Sequence, residues 1–413
     1  MMRRNRPMIC VLHDTGSAAP IKVAAAARKL CDITFLADRS TRQVAEDYRV
    51  MTDIADVVDI TGLSTTEVAQ RIRMLPTDGI TTFSEFQQRR VAELAAECGF
   101  IGHSVETAQL LTDKFRQRQA LATAGTQVTR VALVERVDDV EQAAEIVGFP
   151  AVLKPRRGAA AARTCRVDSL EQCLAAVADF ADHPDSVFVL EELLVGDPLA
   201  AGPEWGDFVS VESVVHDGDV QHVCVTGKQP LAPPFRETGD LMPSTVPTEL
   251  EDRIVRLTGD ALRALGVRHG VCHTEIKLTA DGPRIIEVNG RMAGYASHLL
   301  HRATGFNLTE AVLELALGHR VDVPVLHWNQ LYWSRFVLPP MEASRVVSVA
   351  PLEKLAALPG VQSLDILATP GQSVDWRHGT HDMLAILHAT ASTHDEVLSL
   401  ISQTEQAARE SCV

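Results

Sequence analysis

HTEIKLTADGPRIIEVNGR, residues His273 to Arg291, is the stretch on which the fold of this chain turns. HTEIKL and RIIEVN alternate with the two-residue period of half-buried strands. Between them, A-D-G reads as a three-residue hairpin loop, with Gly282 taking the left-handed position. A loop of Ala280, Asp281 and Gly282 sets Thr279 opposite Pro283. Glu275 then lies opposite Glu287, and His273 opposite Asn289, on one face of the sheet.

Two carboxylates directly across a pair of strands repel, so the metal-free hairpin is expected to be strained by about 0.2–1 kcal/mol. A hard divalent cation relieves this, because Mg²⁺ takes oxygen ligands and sits between one or two carboxylates and phosphates. Glu275, Glu287 and Asn289 are therefore the candidate ligands for Mg²⁺, with Mn²⁺ as a substitute. Arg291 adds a planar cation suited to a phosphate or carboxylate.

Composition sets the outer bounds. The 413 residues suffice for two or three domains. A formal charge of −15, from 39 basic and 54 acidic side chains, argues against nucleic acid as partner. The eight cysteines include no C-x-x-C pair, as expected of reduced thiols in a cytoplasmic enzyme. The basic opening MMRRNRPMICVL has too short an apolar run for a signal peptide. No stretch has the ~18 apolar residues of a membrane span.

Residues 1–110 alternate short apolar runs (MICVL, DITFLA, VVDI, GITTF) with helical segments, a rhythm that predicts a parallel sheet. Ser64 and Glu67 form a capping box, and no G-x-G-x-x-G follows the first strand. Next, TDKFRQRQALATAG predicts a helix from Thr112 or Asp113 to Gly125. FPAVLKP is a buried strand ending at Lys154, followed by the alanine-rich loop RRGAAAARTCRV. VFVLEELLVGD is an apolar strand interrupted by Glu191 and Glu192. DFVSVESVVHDGDVQHVCVTGKQ predicts a hairpin with Asp217-Gly218 as its turn. The proline-rich stretch 230–247 reads as a long structured loop, of the kind that often carries function. Two helices follow the His273–Arg291 hairpin, and short strands with a terminal helix from about Thr393 complete the chain.

These segments together resemble the ATP-grasp superfamily. The patterns H-x-E-x-K-L, G-P-x-x-I-E-V-N and R-x-x-G (Arg291 to Gly294) look like its carboxylate–amine ligases, which include the L-amino-acid (dipeptide) ligases. The pattern D-K-x-x-x-R-x-x-L-x-x-A-G from Asp113 is similar to the entry helix of that fold. The resemblance implies an α/β chain in three parts. These are an N-terminal parallel-sheet domain (1–110), a two-lobed α+β ATP-grasp core (111–325, small lobe about 126–196) and a small mixed C-terminal domain (326–413). It implies that Lys114 and Lys154 bind the phosphates of ATP, and that Glu191, Glu192 and Leu194 lie at the nucleotide. The loop at 158–162 would cover the phosphates, aided by Arg156, Arg157 or Arg163. Glu212, Lys228, Ser244, His273, Arg291 and Gly294 would line the substrate cleft, with Arg291 and Lys154 acting in catalysis.

The activity so implied joins a small-molecule carboxylate, an amino acid, to an amine. It proceeds through an acyl phosphate and releases ADP and phosphate, with a homodimer open as the assembly. Two alternatives stand beside it: a purine-biosynthesis- or carboxylase-type enzyme of the same fold, and a nucleotide-binding regulatory protein without catalysis.

Overall fold

The computed structural model describes residues 6–180 and 187–413. Most of the basic opening therefore lies outside the described residues. Among these residues, no helix is long and apolar enough to cross a membrane.

The N-terminal sheet consists of β1 (Met8–His13), β2 (Asp32–Ala37), β3 (Asp56–Asp59) and β4 (Gly79–Thr81), all parallel, in the order β3-β2-β1-β4. Every residue of β1 is buried, as expected of a parallel strand covered on both faces. The strand order reverses between β1 and β4, which opens a crevice at their carboxyl ends. Ser17 N–H donates to the Phe83 carbonyl at 2.8 Å and the Ser84 hydroxyl to the Thr15 carbonyl at 2.6 Å, tying the two crevice loops together. The Ser64–Glu67 capping box is present as expected.

The small lobe carries an antiparallel sheet of β5 (Val131–Val134), β6 (Ala151–Pro155), β7 (Cys165–Val167) and β8 (Phe188–Glu192), in the order β5-β8-β6-β7. Helices Val140–Val147 and Leu170–Asp179 pack on it around Leu153, Phe188 and Leu190.

The third sheet has eight strands: β9 (Phe208–His216), β10 (Asp219–Lys228), β11 (Asp240–Met242), β12 (Gly270–Thr279), β13 (Gly282–Asn289), β14 (Leu331–Val337), β15 (Val361–Ile366) and β16 (Ala385–Ala391). Their order is β13-β12-β9-β10-β11-β14-β16-β15. The strands expected in a separate C-terminal domain thus continue the core sheet. The joint is β11, a three-residue strand inside the proline-rich stretch expected to be a loop; Asp240 pairs with Lys228, and Leu241 with Trp333. Pattern alone does not reveal so short a strand, because its ladder partners come from β10 and β14.

One face of this sheet, with Val209, Val211, Cys272, Ile276 and Val288, packs on helix Thr248–Ala264. Residues of alternate parity, Ser210, Glu212, His273, Glu275, Glu287 and Asn289, fall on the opposite face. Glu275 pairs with Glu287 and His273 with Asn289, as expected, but the loop differs. Thr279 faces Gly282 rather than Pro283, so the loop is one residue shorter, and a bulge at Ile286 restores the register beyond it.

Strand β13 is a sheet edge, and glutamine side chains stand in for the missing neighbour. Gln117 accepts from Val288 N–H at 2.8 Å and donates to its carbonyl at 2.9 Å; Gln127 does the same for Ile285 at 2.6 and 3.0 Å. Both backbone groups are buried. Replacing Gln127 by Leu leaves the Ile285 N–H unpaired, at a cost of about 1–3 kcal/mol. A lowered thermal midpoint in Gln127→Leu, without loss of the sheet signal in circular dichroism, is the expected result.

Candidate active site

The site lies where the two lobes and the crevice of the N-terminal sheet converge. Helix Lys114–Thr123 enters it with Asp113 as its N-cap, accepting the Arg116 N–H. Lys114 and Arg118 are four residues apart and project from one face of this helix. Lys114 Nζ lies 3.0 Å from Glu287 on β13, and donates to the Gly158 carbonyl of the alanine-rich loop at 3.0 Å. Lys154, at the end of β6, lies 2.8 Å from Glu191 on β8. Arg118 grips the same Glu191 with two nitrogens, at 3.1 and 2.9 Å.

These pairs set the charge states. Burial favours the neutral form of Glu191, but Arg118 and Lys154 outweigh it and hold its carboxyl down at about 2. Burial favours the neutral form of Lys114 too, and Glu287 more than offsets it, so its pKa is raised. For Lys154, burial prevails despite Glu191, and its pKa is lowered.

Glu275 and Glu287 face one another as expected, yet their mutual repulsion is already answered by cations. Lys114 neutralises Glu287, while His273 Nε2 lies 3.6 Å from Glu275. The expectation of a strained metal-free hairpin is corrected on this point. His273 Nδ1 lies 2.6 Å from Glu212. Burial disfavours the imidazolium, but the Glu212 carboxylate overcomes it, and the His273 pKa rises to about 9. Burial acts on Glu275 in the opposite sense to His273, which with Lys228 and Arg291 brings its carboxyl to about 2.

Two residues expected to face substrate do otherwise. Glu212 is 0% exposed, and its second oxygen accepts the Ala293 N–H at 3.3 Å; it orients His273 instead. Lys228 is buried between Asp240 at 2.9 Å and Glu237 at 3.1 Å, and both partners sit in the 230–247 stretch. These carboxylates outweigh the effect of burial and push its pKa up. Ser244 lies beside this pair, its Cα close behind Gly227. Gly294 caps helix Tyr295–Thr304 and packs near Ser17 of the N-terminal domain.

Glu191 and Glu192 diverge. Glu191 is committed to Lys154 and Arg118, whereas Glu192 points the other way, to Arg130 at 2.8 Å and Arg284 at 3.2 Å. Leu194 follows directly in the segment joining the lobes. Arg156 and Arg157 meet Asp113, at 2.8 and 3.6 Å, while the Arg163 N–H bonds the Arg377 carbonyl. Sequence reasoning missed Glu85. It is buried in the crevice after β4 and lies 3.1 Å from Arg291. The signal available was an acidic residue opening a helical turn behind a parallel strand.

As a metal site, the donors Glu275, Glu287 and Asn289 are hard oxygens on adjacent register positions, a set suited to Mg²⁺. Among the described residues, no three His, Cys, Asp or Glu side chains form a metal-binding group by themselves. An ion here would draw further ligands from phosphate, as is usual for magnesium.

The His273–Glu212 pair makes stability depend on alkaline pH. The folded pKa of about 9 exceeds the ordinary value of 6.5, so the contribution is complete below pH 6.5 and is lost as pH rises through 9. Thermal melts across pH 6–10 should show this decline in the native protein and a flatter profile in His273→Gln.

Residues 147–298 match the model of the ATP-grasp domain. Alanine–anticapsin ligase of Bacillus subtilis (strain 168) is 26% identical over 274 residues, which are 62% of this chain and 58% of that protein. The chain thus spans less than two thirds of that relative's length. An L-amino acid ligase from Bacillus licheniformis superposes with a TM-score of 0.78 at 19% identity, covering 98% of both chains. A carboxyaminoimidazole ribonucleotide synthase from Aspergillus clavatus, solved with ATP, superposes at 0.75 with 16% identity, again over 98% of each chain. Residues 147–298 thus carry a match to the ATP-grasp domain, and the whole chain shares its fold with these two structures.

Proposed function

We propose that this protein is an ATP-dependent ligase that joins the carboxylate of an amino acid to an amine, releasing ADP and phosphate. The observation that carries the reading is the meeting of Lys114 and Lys154, from different elements, with Glu287 and Glu191 in one buried charge network. The kinship with alanine–anticapsin ligase and the fold shared with an L-amino acid ligase support it.

In this reading a substrate carboxylate oxygen attacks the γ-phosphorus of ATP, and the bond to the β,γ-bridging oxygen breaks to release ADP. The amine nitrogen then attacks the acyl carbon; phosphate leaves with the C–O electron pair, and the amine gives up a proton. Lys114 and Lys154 exchange their carboxylate partners for phosphate oxygens and hold the transferring group. Such preorganised charge is the main source of rate in phosphoryl transfer. The backbone from Glu192 to Leu194 receives the adenine. Arg291, steadied by Glu85, binds the acyl phosphate or the substrate carboxylate. His273 stays protonated at neutral pH, so it acts as a fixed cation beside Glu275 rather than as a base. Glu275, Glu287 and Asn289 would hold Mg²⁺, or Mn²⁺, which when bound neutralises charge on the terminal phosphates.

Chromatography of a turnover mixture with pairs of amino acids tests the reaction class. ADP and phosphate should appear in step with an amide product; AMP as the stoichiometric product would refute the mechanism. Replacing Glu287 by Gln tests the site. The change strips buried Lys114 of its counter-charge, so the metal-free protein should melt earlier. Turnover should fall on the order of 10²–10³-fold, as for loss of one electrostatic stabiliser. Normal turnover in a folded Glu287→Gln protein would move the site elsewhere.

A further inference from the structure

The loop after β6 reads Arg157-Gly158-Ala159-Ala160-Ala161-Ala162-Arg163, and its conformation is unusual for that composition. Ala160, Ala161 and Arg163 have φ of 62°, 52° and 49°, a left-handed region disfavoured for residues with a Cβ. Backbone held this way persists only where its surroundings over-determine it. A glycine-rich loop could take the same path without strain; this one needs a clamp.

The clamp comes from the far end of the chain. Residues 376–380, between β15 and β16, lie against the loop. Thr380 N–H donates to the Ala160 carbonyl at 2.9 Å, and Arg163 N–H donates to the Arg377 carbonyl at 2.8 Å. Arg377 reaches on to Asp179 of the small lobe at 2.7 Å, and Trp376 packs against the core of that lobe. Gly379 sits at the closest approach, with φ 65°; a Cβ there would lie 1.9 Å from the Ala160 carbonyl oxygen. At its other end the loop is tied to the phosphate-binding candidates, since Lys114 donates to the Gly158 carbonyl and its own N–H to the Arg156 carbonyl.

We propose that the segment Trp376–Thr380 is a latch that holds the phosphate-covering loop closed, with Gly379 and Arg377 as positioning residues for the transfer step. The proposal rests on the ligase reading. An acyl phosphate left open to water hydrolyses, so a ligase needs its loop closed until the amine has reacted. Glycine-rich loops close through their own flexibility. In this chain the C-terminal strands supply the closing contacts, and the alanines make the loop dependent on them. Opening for nucleotide exchange then requires the small lobe and residues 376–380 to part, which couples the C-terminal region to the catalytic cycle.

Gly379→Ala tests the latch, because its Cβ cannot fit against Ala160. In the nucleotide-free protein, the Arg163 amide should exchange hydrogen about tenfold faster than in the native protein, the factor expected for loss of one backbone hydrogen bond. In turnover, phosphate released per amide formed should rise several-fold, a readout that mere loss of stability would not move. Arg377→Ala should act in the same direction more weakly, with Arg377→Lys restoring coupling; this pair decides the matter should Gly379→Ala not fold. Native exchange at Arg163 in Gly379→Ala would overturn the latch, whatever the activity. Faster exchange with unchanged coupling would reduce the segment to a structural prop and overturn its positioning role. A native protein that makes no amide would refute the ligase reading instead, and the exchange rate would still decide whether the latch exists.

Discussion

Arg118 is the interaction on which the two-lobed arrangement depends. Its guanidinium is 4% exposed and holds Glu191 of the small lobe with two nitrogens. The same group donates to the carbonyls of Ile285 and Ile286 on β13, at 2.8 and 2.6 Å. A planar cation with five donors can satisfy both partners at once, which lysine could not. Removing one member of such a buried pair costs about 3–5 kcal/mol, because the other is left uncompensated. The bulge at Ile286 presents neighbouring carbonyls to Arg118, so the feature that restores the hairpin register also anchors the lobe.

From this junction the charges alternate outward. Glu191 holds Lys154, Glu287 holds Lys114, and Glu212 holds His273 beside Glu275. Each of these cations has a carboxylate counter-charge beside it. In the proposed reaction, phosphate oxygens take the place of these carboxylates on Lys114 and Lys154. The N-terminal sheet contributes through Glu85, which pulls Arg291 toward the crevice between β1 and β4. The C-terminal strands contribute through the segment that meets the alanine-rich loop. All three parts of the chain therefore reach the same space.

Some of this was legible in the residues alone. Two-residue alternation in HTEIKL and RIIEVN was enough to put Glu275 and Glu287 on one sheet face, because a strand's faces follow from local geometry; that they lie directly opposite depends on the bulge at Ile286. The Asp217-Gly218 turn and a helix starting near Thr112 or Asp113 were visible for the same reason: each depends on chemistry within a few residues. The short loop at Ala280–Asp281 was not visible, since the offset it creates is undone by a bulge that Arg118 stabilises from another element. Glu212 and Lys228 were expected to face substrate, but their partners lie 61 and 12 residues away and turn both inward.

The sequence by itself thus determined which sheet face His273, Glu275, Glu287 and Asn289 share, because periodicity acts over short distances. Only the tertiary structure decided how those charges are paired, that β11 fuses the core and C-terminal strands into one sheet, and that residues 376–380 close on the alanine-rich loop. Each of these depends on contacts between segments tens to hundreds of residues apart. Such contacts are selected by burial and charge neutralisation in the folded interior, and local pattern holds no record of them.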